Sequence, residues 1–254
     1  MINLANRAAR LREWAAQLRL RRAVERGFAA SLKREFTRTA GEAVVAYRNG
    51  LSNDSVIAEH AKRVDLILFS LYVSVARASV SRLLSRIKKD NPEVLEEKAY
   101  KDTESAIGAF AKRWSGSRVK SISQHTRTRI NKAIQNGLKN GETLSEISKA
   151  IVSKTGGKIG EWRASVIART EVHTASQQGA LEAVASTGIP FKKEWVSVED
   201  DRTREDHGDV NGEEVGLHEK FSVGDSELAY PGDPNGDAEQ VINCRCIVVF
   251  NDPG

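Results

Sequence analysis

The feature that most constrains the fold is a change of period at Thr187-Gly188-Ile189-Pro190. Before it, apolar residues recur at helical spacing for nearly the whole chain. After it, residues 191–198 have strand composition, Asn211-Gly212 is a hairpin signal, and Cys246-Ile247-Val248-Val249-Phe250 reads as a buried final strand. A chain with this order of patterns is α+β: a long-helix N-terminal region, then a small C-terminal α+β domain with a β-rich end.

Along the helical part, Leu4, Leu11 and Leu18 sit seven apart with Ala8 and Ala15 between them. This is a heptad seam, too short for a sustained coiled coil. Phe28, Leu32, Phe36, Ala40, Val44 and Tyr47 continue at helical spacing, and Asn49-Gly50 supplies a left-handed stop. A third helix starts near Asn53 or Asp54 and carries Ile57, Val64, Leu68, Leu71, Val75 and Leu83 to about Lys89. Trp114-Ser115-Gly116-Ser117 has linker composition, which divides the chain into residues 1–113 and 118–254. Beyond it, Val119, Ile122, Ile130 and Ile134 mark a basic helix stopped by Asn140-Gly141. Thr143-Leu144-Ser145-Glu146 is a capping box, and a further helix spans about Ile159 to Ser186.

Charge is distributed unevenly. Residues 1–190 carry 33 Lys and Arg against 18 Asp and Glu, whereas residues 191–254 carry 6 against 16. A basic body suits nucleic acid or an acidic protein, and the alternative reading is a solvated helical face. Arg7, Arg10, Arg12, Arg19, Arg21 and Arg22 are the candidate contacts to double-stranded DNA, which they would bind without sequence preference. No run approaches about eighteen uncharged apolar residues, so no membrane span or membrane partner is expected. The start, MINLANRAARLREW, is interrupted by charge and lacks the core of a signal peptide, so action where the chain is made is expected.

Most residues with chemistry lie between Glu194 and Phe250. The two cysteines, Cys244 and Cys246, are too close in sequence for an unstrained disulfide and share one face of an extended segment. With His207 and His218 they could hold one structural zinc ion, or they could be small core residues. His207 with Asp200, Asp201, Asp206 and Asp209 could instead chelate the metal of a hydrolase or nuclease, although such carboxylates also form turns. Asp233-Pro234-Asn235-Gly236-Asp237 lacks the Glu of a calcium loop and reads as a turn. No nucleophile elbow, Walker A or dinucleotide fingerprint is present, and no catalytic residue is assigned. The structural alternative is a polar cassette of Asp200, Arg202, Arg204, His207 and Arg245, with Arg169 and Glu171 from the preceding helix. A bidentate Arg–carboxylate pair would form its staple, expected as a buried pair.

These residues also carry a resemblance. Ala168-Arg169-Thr170-Glu171 with Ala175 and Gly179, then Asp200, Arg202-Thr203-Arg204, His207 and Gly212, then Phe221, Pro231-Gly232-Asp233-Pro234 and Asn243-Cys244-Arg245-Cys246 follow in order. Together they resemble the phage Mu F-like minor head proteins, also called phage head morphogenesis proteins, over about residues 118–250. The resemblance implies a virion protein, present in few copies at the portal vertex and assembled in the host cytoplasm. It implies contact with the portal and other head proteins, and a part in head assembly and in DNA packaging or delivery. In that family the domain is not an established catalyst, and no cofactor is expected beyond the possible structural zinc. Some members of that family carry appended toxin domains, and with four residues after Phe250 none is expected here. A metal-dependent nuclease and a plain non-specific DNA-binding protein are the readings from other classes.

Overall fold

The computed structural model describes residues 7–92 and 96–251, with the side chains of Arg7, Asp90 and residues 96–100 outside the description. Leu4 of the heptad seam and the Arg7 guanidinium therefore lie outside the described residues. The fold is α+β. Its elements run α1 (Arg7–Arg48), α2 (Asp54–Asp90), α3 (Glu96–Lys139), α4 (Leu144–Thr155), α5 (Gly157–Ala185), β1 (Lys192–Val196), α6 (Glu205–Asp209), β2 (Glu214–Gly216), β3 (Phe221–Val223), β4 (Ser226–Leu228), α7 (Ala238–Val241) and β5 (Ile247–Asn251).

The helix stops fall where the sequence puts them. At Gly50 (φ +67°) the amide of Leu51 donates to the Ala46 carbonyl and that of Gly50 to Tyr47, and Gly141 (φ +67°) repeats the pattern with Glu142 to Gly137 and Gly141 to Leu138. Both are Schellman stops, which need a residue free to enter the left-handed region. The capping box also forms: the Glu146 amide donates to Thr143 Oγ1 at 3.3 Å and the Thr143 amide to Glu146 Oε2 at 2.7 Å.

Three expectations need correction. The expected linker at Trp114–Ser117 lies inside α3. One glycine costs about 1 kcal/mol in a helix interior, and buried Ser115, Val119 and Ile122 continue the buried side of α3 straight through it. The first two expected helices are likewise one, α1. Asn211-Gly212 does not close a two-residue hairpin. β2 does pair antiparallel with β1, but α6 intervenes, and Asn211 instead accepts the Ser197 amide at 2.8 Å while the Gly212 amide donates to the Trp195 carbonyl.

The chain divides into two compact units, and each long helix contributes to both. One unit comprises Met1–Val24, Leu71–Phe110 and Arg169–Gly254; the other comprises Glu25–Ser70 and Ala111–Ala168. The second unit is wholly helical. Ala43, Ile57, Ile130, Ala133, Ile147 and Ile151 form its core, so α4 packs by the apolar stripe read from its sequence. It also buries a polar network. Glu35 accepts from Thr39 Oγ1 (2.8 Å) and Arg63 Nε (2.8 Å) and lies 2.9 Å from His60 Nδ1, while Arg63 also donates to Glu42. Burial would raise the Glu35 pKa, but the hydrogen bonds from His60, Arg63 and Thr39 outweigh it and the net shift is downward.

The first unit holds all five strands. β1 is the middle strand of an antiparallel sheet in the order β2-β1-β5, and β3-β4 is a separate hairpin. β1 is buried along four of its five residues because both its faces are covered. On one face Trp195 packs with Val210, Phe221, Val223, Leu228, Cys244 and Cys246. On the other, Val196 joins Ile247, Val249 and Trp14 of α1. Val248 and Phe250 pack with Ile87 of α2 and Val184 of α5. The outer edge of β5 is covered by Gln177, whose Oε1 accepts the Val248 amide at 2.8 Å.

Helix α2 is apolar enough over Asp54–Lys89 to cross a membrane by length and composition alone. Val64, Leu68, Leu71, Tyr72, Val75, Ala76 and Val80 of that same stretch are buried, whereas Leu66 and Phe69 are exposed.

Candidate functional site: a polar cassette fastened to one helix face

The site is built on α5. Thr170, His173, Thr174 and Gln177 recur every three or four residues, so they share a face, and all four are buried. Thr170, Thr174 and Gln177 each meet a different segment of the C-terminal end, while His173 meets Arg21 of α1. Thr170 Oγ1 accepts the Asn243 amide at 3.2 Å, and Arg169 donates to the Asn243 side chain at 3.3 Å. Asn243 has φ +58°, a conformation that this double hold secures. Thr174 donates to the Gly232 carbonyl at 2.7 Å. Gly232 has φ +83°, and a Cβ there would lie 2.6 Å from the His173 ring, so glycine is required for space as well as conformation. Gln177 holds β5 as described and also donates to Gln17 of α1.

The loop after β1 is held by Asp200. Its Oδ1 accepts from the Arg202 amide and the Thr203 hydroxyl, and both carboxylate oxygens meet Arg245 at 2.6 and 2.5 Å. This is the bidentate fork expected of a directional staple. It is not the buried pair expected from sequence, since the Asp200 side chain is 36% exposed. The Arg245 hydrogen bonds hold the Asp200 carboxyl well below the usual carboxylate range. Arg204 donates to the Ile242 carbonyl at 2.5 Å, and Arg202 is exposed. Glu171 is buried and accepts from the Tyr72 hydroxyl at 2.6 Å.

His207 on α6 is 1% exposed and stands edge-on to Trp195, with ring centroids 5.3 Å apart. Its Nε2 lies 3.0 Å from Gln240 Oε1, and Gln240 in turn donates to Asp206 at 2.6 Å. A carbonyl oxygen can only accept, so Nε2 carries a proton. Nδ1 faces both thiols, Cys246 at 3.4 Å and Cys244 at 3.7 Å. Burial acts to raise the Cys244 thiol, but hydrogen bonds from Cys246 and His207 bring it well down; Cys246 is pushed up by its neighbour Cys244 and by burial. The pair thus gives up one proton readily and holds the other. His218 is exposed in the β2–β3 connection and outside this group, which removes it from the expected ligand set because its side chain faces solvent. A nuclease using His207 and the carboxylates would need that ring open to substrate, and it is buried with both nitrogens engaged. Asp233 forms a turn, accepting the amides of Ala229 and Asn235.

Of the expected DNA contacts, Arg12, Arg19 and Arg22 are exposed. Arg10 is paired with Glu194 at 3.0 Å, and Arg21 is buried against His173, so neither is a free surface cation. The excess positive charge lies in the all-helical unit, where 19 Lys and Arg stand against 9 Asp and Glu.

Sequence reading missed Thr174, Gln177 and Gln240; it had Thr170 and the tryptophan-bearing strand only as parts of the signature, and took His173 for an ordinary helix residue. The polar row on α5 was legible as a three-to-four spacing. What it faces was not, because its partners are backbone groups up to about seventy residues away.

Residues 128–249 match the family described as Phage Mu protein F like protein. The uncharacterized protein YqbB of Bacillus subtilis (strain 168) is 28% identical over 143 residues, which is 55% of this chain and 46% of that protein. The NAD(+)--arginine ADP-ribosyltransferase EFV of Enterococcus faecalis (strain ATCC 700802 / V583) is 31% identical over 116 residues, 44% of this chain and 23% of that protein. The chain thus spans less than half the length of either relative. No solved structure is a significant match.

Proposed function

Since residues 128–249 form a phage Mu F-like region, we propose that this chain is a phage head morphogenesis protein. It serves as a minor virion component at the portal vertex, assembled in the host cytoplasm. The family match over 128–249 carries this reading, together with the ordered signature residues that build one cassette. The cassette spends its polar groups on holding loops, which suits a scaffold role rather than turnover. The activity named for EFV belongs to a protein of which this chain covers less than a quarter, and it does not transfer.

The partners are the portal protein, other head proteins and packaged double-stranded DNA. The excess of Lys and Arg in the all-helical unit supports the last, because phosphate neutralisation needs charge and no sequence-specific contact. Arg129, Lys132 and Lys154 line a shallow cavity there, a place where phosphate or an acidic side chain would be held. The test is the protein content of procapsids and mature particles. The reading expects this chain in both, substoichiometric to the major capsid protein and in fixed ratio to the portal. Its absence from both, while it accumulates in infected cells, would overturn the reading. DNA contact expects retention of duplex DNA that falls steeply between about 50 and 200 mM salt.

A further inference from the structure

We propose that His207, Cys244 and Cys246 bind one zinc ion, which fastens α6 to the segment leading into β5. The inference stands on the geometry of these three side chains and is independent of any role in the phage head. Their ligand atoms all lie within 4.8 Å of one another, and all three residues are buried. In a tetrahedral site with Zn–S of about 2.3 Å and Zn–N of about 2.0–2.1 Å, a sulfur and a nitrogen stand about 3.6 Å apart. The two observed separations from Nδ1 are 3.4 and 3.7 Å.

The alternative is a metal-free cluster of two thiols and an imidazole. There Nδ1 can make one good hydrogen bond, although two sulfurs stand at nearly equal distances from it. One cation at the centre satisfies all three groups at once. The surroundings are those of a metal-ligating histidine. Gln240, itself fixed by Asp206, takes the Nε2 proton and orients the ring, which leaves Nδ1 as the ligand. The Trp195 indole N–H is buried beside the cluster and acts as a donor towards Cys246. It is a donor that answers negative charge on the sulfurs. Soft thiolates with imidazole select zinc over magnesium or calcium. Among the described residues no fourth His, Cys, Asp or Glu joins the group, so the remaining position falls to water or another small ligand.

The full chain, purified under reducing conditions from zinc-supplemented cells, should contain one zinc per chain by elemental analysis. Stripped protein titrated with cobalt(II) should show a thiolate-to-cobalt charge-transfer band and strong visible bands, saturating at one equivalent. Cys244→Ser with Cys246→Ser should abolish both, and His218→Ala should leave both intact. Should the double variant fail to fold, wild-type protein still decides the matter. Cys244 and Cys246 are the only thiols in the chain, so bound zinc should slow their alkylation and a chelator should restore it. No stoichiometric zinc, no cobalt–thiolate band and alkylation indifferent to zinc would overturn the proposal, as would a Cys244–Cys246 disulfide in freshly purified protein.

Discussion

Gly179→Ala is the sharpest probe of how the cassette-bearing helix is seated. A Cβ at Gly179 would sit 2.6 Å from the carbonyl oxygen of Ala76, 2.8 Å from its Cα and 3.0 Å from its carbonyl carbon. All three are backbone atoms of α2, so no rotamer change relieves the clash. Ordinary contact is about 3.5–4.0 Å, so the two helices would have to part by roughly 1 Å there. Overpacking of this kind costs about 1–3 kcal/mol, and rigid backbone on both sides puts this case in the upper half of that range. Alanine in place of glycine in a helix returns about 1 kcal/mol. The net loss is then about 1–2 kcal/mol, or roughly 2–8 °C in Tm for a chain of this size. Gly116→Ala is the matched control. It also lies within a helix, but nothing stands within 4 Å of its Cβ position, so it should gain about 1 kcal/mol and raise Tm. Thermal melts of the full chain followed by circular dichroism compare the two. The close approach of α2 and α5 is refuted if both variants shift Tm in the same direction. Ala76→Gly should not rescue Gly179→Ala, because the obstructing atoms remain.

Two further outcomes depend on pH. Lys193 is buried, donates to the Ala229 carbonyl at 2.7 Å, and has its pKa brought down to about 8 by burial against the pull of Asp233 and Glu219. Its folded value lies below that of the unfolded chain, so the cost of burying its charge is full below pH 8 and fades between about pH 8 and 10; the Tm of Lys193→Met relative to wild type should therefore fall across that window, and a flat difference would contradict the buried charge. Asp200 is also shifted downward, but in a carboxyl a lowered value favours the charged form, so its stabilising effect is present above the unfolded carboxylate value of about 4 and is lost as pH falls towards the folded value. The Tm deficit of Asp200→Asn should hold from pH 5 to 8, narrow below pH 4, and shrink in added salt because the pair is partly exposed; a deficit independent of both would mean that Arg245 is not its partner.

Local signals were legible and distant ones were not. The stops at Gly50 and Gly141 and the Thr143–Glu146 box depend on four to six consecutive residues, so their chemistry is complete in the sequence. The linker at Gly116 failed because composition reports what could break a helix, and the buried run through Ser115, Val119 and Ile122 decides whether it does. Asn211-Gly212 marked a real turn before a real partner strand, but it could not reveal that α6 would be inserted ahead of it. In the cassette, the Asp200–Arg245 fork was anticipated as a pairing of residue types while its exposure was not. The convergence of His207 on Cys244 and Cys246 was half legible. Two cysteines one residue apart share a face of an extended segment, but which of His207 and His218 approaches is set by α6 and the Gln240–Asp206 support.

The spacing of the buried polar residues on α5 follows from that helix acting as a rail. The strands of this unit other than β1 and β5 have only three residues each. Strands that short bury little, so the loops between them need anchors of another kind. Thr170, Thr174 and Gln177 lie one helical turn apart and reach the Asn243 amide, the Gly232 carbonyl and the Val248 amide in turn. Moving any of them by one position along the helix would swing it about 100° off the rail and leave a buried backbone group without a partner, a loss of about 1–3 kcal/mol each time. A fixed set of polar residues at fixed intervals is therefore what the architecture demands before any chemistry is asked of it. The same reasoning explains why Arg169, Asp200, Arg204 and Arg245 can look like an active site in sequence. Each is a strong, directional hydrogen-bonding group, and each is directed at a segment of this same small unit.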